Sequence, residues 1–393
     1  MATLRRKKAE PFSVFQRDPG PWPPILLNWM ATLAIIMVFG LVMLFSASYT
    51  TGYLRFGDSF HYIKSQLLCT VLGLGMMFLF SYFDHRFLRR MVKLGYVVCL
   101  ILLVLVLFSS PINGCRRWIS FGGLTLQASE VAKFEMILLT ADIAARTPQI
   151  KFGEMPLRKW VYHSIVVELI RPILWLVPVL ILLVLEPHMS GTILILAGAA
   201  AVLFAAGIKL YWFAGGGAAL MGLVVLMMSG YQSTRILVWQ DPWAYPRDGG
   251  YQIIQSLYAI GSGGLLGLGL GKSRQKFLYL PEPENDFIFA IVCEELGLIG
   301  AGIVLILFAL LVMRGYWIAI HARDRFGALL VVGITTLTAV QVFLNISVVT
   351  NLIPTTGISL PFFSYGGTAL MIQLAEMGII LSVSRQIPAP RQE

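Results

Sequence analysis

The chain has 393 residues, of which 57% are hydrophobic and only 13% are Asp, Glu, Lys or Arg. A soluble domain carries about 25% charged residues, so there is too little polar surface here to cover a water-facing globule. A disordered chain, a coiled coil and a disulfide-stapled miniprotein are excluded on the same grounds. An all-α polytopic membrane protein remains. The formal net charge of +10 would suggest nucleic acid on a soluble protein. Here the bias of Lys and Arg toward cytoplasmic loops accounts for it, and no nucleic-acid partner is expected.

A transmembrane helix needs about 20 mainly apolar residues. That measure predicts about ten spans: 26–47, 66–83, 92–109, 129–146, 168–185, 190–207, 210–230, 287–313, 326–349 and 363–384. The fourth is interrupted by Glu130, Lys133, Glu135 and Asp142. The first is too long for the apolar part of a cleaved signal, about 7–15 residues, and reads as a retained anchor. Basic clusters at Arg5–Lys8, Arg86–Arg90, Lys151–Lys159 and Arg314–Arg325 fall in alternate gaps. They place 1–25 and 386–393 as cytoplasmic tails around a membrane domain at 26–385. The gaps 48–65, 110–128, 186–189, 231–286 and 350–362 then face outward. The longest, 231–286, holds Trp239, Trp243, Tyr245, Tyr251, Tyr258, Phe277 and Tyr279. It is too aromatic for a disordered linker and reads as an ordered, partly interfacial cap. No internal repeat supports an inverted-repeat transporter.

Cys69, Cys99, Cys115 and Cys293 show no CxxC spacing, so neither zinc nor a disulfide framework is indicated. The glycine run ending at Gly271-Lys272-Ser273 imitates a phosphate loop, but Leu266 stands where that motif requires Gly. It reads as a glycine-rich loop packed close to the membrane surface.

Four groups of side chains could carry chemistry. Arg116, Arg117 and Trp118 put two guanidiniums and an indole on the outer face, where Arg suits phosphate and Trp sits at headgroup level. Arg235, Lys272, Arg274 and Lys276 add positive charge to that face, against the positive-inside bias, and so point to an anionic ligand. Glu130 and Lys133 share a helix face and can pair. Near Pro281 and Pro283, Asp286 lies where a loop meets a span. It reads either as an N-cap or as a partly desolvated carboxylate able to act as a base. Glu294 and Glu295 lie within the eighth span, where ionisable groups face a cavity or a partner. Glu376 and the Glu168/Arg171 pair read as structural.

Together these stretches resemble the SEDS family of bacterial membrane proteins, which includes RodA, FtsW and SpoVE. The resemblance rests on four motifs in order. Asn113-Gly114-x-Arg116-Arg117-Trp118-Ile119 runs into Gln127-x-Ser129-Glu130-x-Ala132-Lys133. Gly250-Tyr251-Gln252 leads to Gly271-x-Ser273-x-Gln275-Lys276. Tyr279-Leu280-Pro281-Glu282 precedes Asp286-Phe287-Ile288-Phe289-Ala290 and Glu294-Glu295-Leu296-Gly297. Pro354–Pro361 leads to Ser364-Tyr365-Gly366-Gly367. Four positions depart from the pattern: Ala128 for Pro, Glu284 for His, Cys293 for Gly, and Glu186–Thr192 for Gln-Pro-Asp-x-Gly-Thr with one extra residue. The Pro354–Pro361 stretch leans to the division and sporulation members.

The resemblance implies a ten-span fold and a peptidoglycan glycosyltransferase that polymerises lipid II on the outer face of the bacterial cytoplasmic membrane. It implies work beside a class B penicillin-binding protein. The family's essential aspartate falls on Asp286, expected to deprotonate the acceptor hydroxyl. Arg116, Arg117, Trp118, Glu130, Lys133, Arg235, Lys276, Glu294, Glu295, Ser364 and Tyr365 are the expected substrate-binding residues. A divalent cation, Mg2+ or Mn2+, could assist the departing diphosphate. Two rival readings stand beside this one: a lipid II flippase, with Glu130, Lys133, Glu294 and Glu295 along its path, and a non-catalytic scaffold that recruits a transpeptidase.

Overall fold

A computed structural model describes residues 24–110, 116–121, 124–148, 150, 155–186, 188–216, 231–247 and 249–387. Three long apolar helices open the chain: α1 (Pro24–Phe56), α2 (His61–Tyr82) and α3 (His85–Leu107). A short antiparallel hairpin follows, β1 (Trp118–Phe121) and β2 (Leu124–Gln127), with Trp118 opposite Gln127. Next come α4 (Ala128–Arg146), α5 (Leu157–Leu185) and α6 (Met189–Ala205). Residues 210–216 are helical; the rest of the span expected at 210–230 lies outside the described residues. The expected cap contains α7 (Tyr231–Gln240) and α8 (Gly250–Gly263). Three further long helices close the chain: α9 (Ile288–His321), α10 (Arg325–Val349) and α11 (Gly367–Ser384).

Seven of these helices are long and apolar enough to cross a membrane, and α6 is a shorter apolar one. Most run beyond their predicted ends. Apolar composition marks only the part of a helix that must avoid water, and the backbone continues helical past that boundary. Exposed Leu, Ile, Val and Phe side chains on α2, α3, α5 and α9 form the lipid-facing surface that the composition requires. Helix α4 lies at the centre, packed by α3, α6 and α10. Glu130, Lys133, Glu135 and Asp142 are buried against protein instead of facing lipid, which is why it looks weak as a span.

α9 is not continuous. Gly297 has φ +65° and ψ −167°, which breaks the helix. The segment after α8 fills the gap. Leu268 N donates to Glu294 O at 3.0 Å, Gly269 N to Glu295 O at 2.9 Å, and Leu298 N to Gly264 O at 2.9 Å. Backbones meet here so closely that a Cβ on Gly297 would stand 2.4 Å from Gly267 N. Only Gly meets both demands, since it tolerates positive φ and carries no side chain.

Candidate active site

Asp286 sits just before the short half-helix Ile288–Leu296. The cap reading is corrected: the position before the helix is Phe287, and no side-chain capping bond is made. Among the described residues none donates a hydrogen bond to the Asp286 carboxylate. Its backbone is held firmly. Asn345 Nδ2, from α10, donates to Asp286 O at 2.8 Å and to Ile358 O at 2.7 Å. One buried amide thus joins the Asp286 turn to the 350–366 segment. Gly357 (φ +72°) passes so near that a Cβ would lie 3.3 Å from Asp286 Oδ2.

Other carboxamides cradle the same segment. Gln66 donates to Ser364 O at 3.3 Å and accepts from Gly366 N at 3.3 Å. Gln341 donates to Ser359 O at 3.2 Å. Gln373 accepts from Phe362 N at 3.3 Å. An irregular backbone inside an apolar bundle leaves polar groups that must find partners, and these side chains supply them. Sequence reasoning passed over all four. Their signal was legible as lone amides within or beside apolar runs.

A cavity of about 370 Å³ opens in front of Asp286. Arg117, Trp118, Glu130, Lys133, Ser364 and Tyr365 line it together with Glu282 and Asn285. Lys133 Nζ lies 2.7 Å from Glu130 Oε2, both buried. Ser364 Oγ accepts from Leu360 N at 2.7 Å, and the Tyr365 ring meets Tyr62 edge to face. Burial pushes the Asp286 carboxyl up to about 6, Glu282 adds to the rise, and the Arg117 guanidinium opposes it. A carboxylate poised there is strong enough as a base near neutral pH.

Five expected binding residues lie elsewhere. Arg116 is exposed and donates to Leu107 O at 2.9 Å. Arg235 donates to Thr355 O at 3.1 Å, bracing the 350–366 segment from α7. Lys276, Glu294 and Glu295 form a separate knot. Glu295 accepts from Ser46 Oγ (2.7 Å), Gly271 N (2.9 Å), Ser273 N (3.2 Å) and Lys276 Nζ (3.1 Å). Glu294 accepts from Ser273 Oγ and from Arg274 N at 2.9 Å. These two carboxylates fasten the glycine-rich loop to the half-helix, and neither lines the cavity. Loop amides as their partners were invisible in the sequence, because a long-range contact leaves no local pattern.

Among the described residues no three His, Cys, Asp or Glu side chains converge to cage a metal ion.

The fold and cavity define a polytopic helical membrane protein with a polar cavity lined by carboxylate, ammonium and guanidinium side chains. A family model described as "Cell cycle protein" and labelled FtsW, RodA and SpoVE matches residues 26–388. Stage V sporulation protein E of Bacillus subtilis (strain 168) is 41% identical over 372 residues, 92% of this chain and 97% of that one. A probable peptidoglycan glycosyltransferase FtsW from Geobacter metallireducens is 37% identical over 363 residues, 89% and 92% of the two chains. Among solved structures, a chain from a study of polymerization and crosslinking by a peptidoglycan synthase complex superposes with a TM-score of 0.73. It is 29% identical and covers 93% of this chain and 98% of its own. Thermus thermophilus RodA superposes at 0.66 with 28% identity, covering 92% and 97%. This chain belongs to the FtsW/RodA/SpoVE family, and its sequence leans to the FtsW and SpoVE side.

Proposed function

We propose that this protein is a peptidoglycan glycosyltransferase that polymerises lipid II, with the cavity facing outward and both termini in the cytoplasm. The observation that carries the reading is Asp286. Its carboxylate has no hydrogen-bond donor among the described residues, and it looks into a cavity whose other walls hold Arg117 and the Lys133–Glu130 pair. Asp286 takes the proton of the acceptor sugar hydroxyl. The freed oxygen attacks the anomeric carbon of the lipid-linked donor, and the carbon–oxygen bond to the diphosphate breaks. The electron pair leaves on the phosphate oxygen, and the product is undecaprenyl diphosphate. An α-linked donor then gives a β-linked glycan in a single displacement. Arg117 and Lys133 supply fixed positive charge for the departing group. Glu130 orients Lys133.

The names of the relatives support this activity, and a class B penicillin-binding protein is the proposed partner. The flippase reading needs Glu294 and Glu295 along a path with Glu130 and Lys133. Those two carboxylates are occupied by loop amides away from the cavity, so that reading has lost half its route.

The test is polymerisation of labelled lipid II by the purified protein, with and without a cognate transpeptidase, comparing wild type with Asp286→Asn. Polymer from wild type and none from a well-folded variant is the expected result. Equal polymer from both would remove Asp286 as the base. No polymer from wild type with its partner would return the choice to flippase or scaffold.

A further inference from the structure

The chemistry above leaves one wall of the cavity unused. It is formed by His188, Ser190 and Gly191, within the stretch where the sequence departs from the family pattern. Helix α6 begins there, and Ser190, Gly191 and Leu194 line the cavity. The first-turn amides of a helix have no carbonyl partner within it, and its dipole end attracts anions. Just before this end stands His188. It is 5% exposed and lines the cavity, and its buried Nδ1 meets no hydrogen-bond partner among the described residues. Gly191 makes room for the ring, since a Cβ there would stand 2.9 Å from Nδ1.

The electrostatics agree. Burial, with Arg117 and Lys133 nearby, pushes the imidazole down to about 3, so a neutral ring stands in the cavity beside Arg117 and Lys133. Glu186 is buried, and its carboxylate oxygens meet no partner among the described residues. Burial raises it to about 7 against the pull of Arg117, which weakens its opposition to an incoming anion. The acidic groups Asp286 and Glu282 come from the segment before α9.

We propose that His188 and the N-terminal amides of α6 form, with Arg117, the subsite that holds the diphosphate of a polyprenyl diphosphate sugar. This rests on the transferase reading and deepens it. The diphosphate takes a hydrogen bond from the imidazole and from the first-turn amides. Its charge offsets that of Arg117 and Lys133. The sugar is then directed toward Asp286.

The test measures binding of farnesyl diphosphate and of farnesol to the purified full chain, beside the lipid II assay. His188→Phe keeps the ring shape and removes its nitrogens. It should weaken farnesyl diphosphate roughly tenfold to a hundredfold, the value of a hydrogen bond to a charged group, and leave farnesol unchanged. Unchanged affinity for farnesyl diphosphate in a folded His188→Phe protein would overturn the subsite, and so would an equal loss for farnesol. Should that variant not fold, Gly191→Ala crowds Nδ1 without altering charge. It must weaken farnesyl diphosphate severalfold, and unchanged affinity overturns the proposal. Wild type that binds farnesyl diphosphate through His188 but makes no glycan sinks the transferase reading and leaves the subsite standing. Wild type that polymerises lipid II, with a His188→Phe variant of equal KM, does the reverse.

Discussion

Asp286 lies just before a short half-helix and Glu295 within its last turn, yet they live in opposite surroundings. Glu295 receives Ser46 Oγ, two loop amides and an ammonium group. Asp286 receives no hydrogen bond from any described residue, and burial drives its carboxyl up to about 6. A saturated carboxylate keeps its charge and holds structure in place. One denied donors holds basicity in reserve. Sequence position inside or beside a span does not separate these roles, whereas counting the donors around each carboxylate does.

The sharpest way to break the comparison is to neutralise each carboxylate in turn. Asp286→Asn should lower the polymerisation rate by about 10²–10⁴-fold, the usual worth of a positioned base. It should not destabilise the fold. A carboxyl whose folded pKa is raised above its unfolded value costs stability once it ionises. The neutral amide therefore melts at or above the wild-type temperature above pH 7, and the gain disappears near pH 4. Thermal unfolding across that range checks the sign, and a lower melting temperature at pH 7.5 would contradict it. Glu295→Gln should do the opposite. It leaves the buried Lys276 without its counter-charge, a loss of about 3–5 kcal/mol. A strongly lowered unfolding midpoint in detergent is expected, with activity per folded molecule largely kept.

Asn345→Ala comes next in size. The buried Ile358 carbonyl and the part-buried Asp286 carbonyl lose their donor, the buried one at about 1–3 kcal/mol. The base then loses its fixed position, so kcat should fall more than KM rises. A change confined to stability would show that Asn345 only supports the fold. The smallest effect is graded. Polymerisation by wild type should rise with pH through about 6 as Asp286 ionises and level off above. A rate that is flat from pH 5 to 8 would mean that the carboxyl is ionised throughout, or that chemistry is not limiting.

Much of this was legible in the sequence. The membrane class follows from the shortage of charge, and the four ordered motifs led to the family. Asp286, Arg117, Trp118, Glu130, Lys133, Ser364 and Tyr365 were expected to share a site, and they line one cavity. Glu294, Glu295 and Lys276 were expected there and form a knot of their own instead. Their motif is shared with the family, but a motif does not say whether a carboxylate faces substrate or backbone. The break at Gly297 was hidden for a related reason. Its neighbours are strongly apolar and read as one uninterrupted span, and a single Gly within a helix is ordinarily tolerated. The hairpin at Trp118–Gln127 also went unseen. It lies in a stretch read only as an outer loop, and four-residue strands leave too short an alternation to recognise.

The broken helix has a consequence for how the chain is made. In a bilayer, unpaired amides and carbonyls are costly, and neither side of the Gly297 break can satisfy its own. The missing partners lie in the segment just after α8, which is synthesised before α9. The α8–α9 stretch is thus a unit of biogenesis, in which the loop after α8 is made before the helix whose break it closes. A truncation ending between them should leave the earlier spans insertable. One that begins at α9 would deliver a helix whose broken turn has nothing to close it.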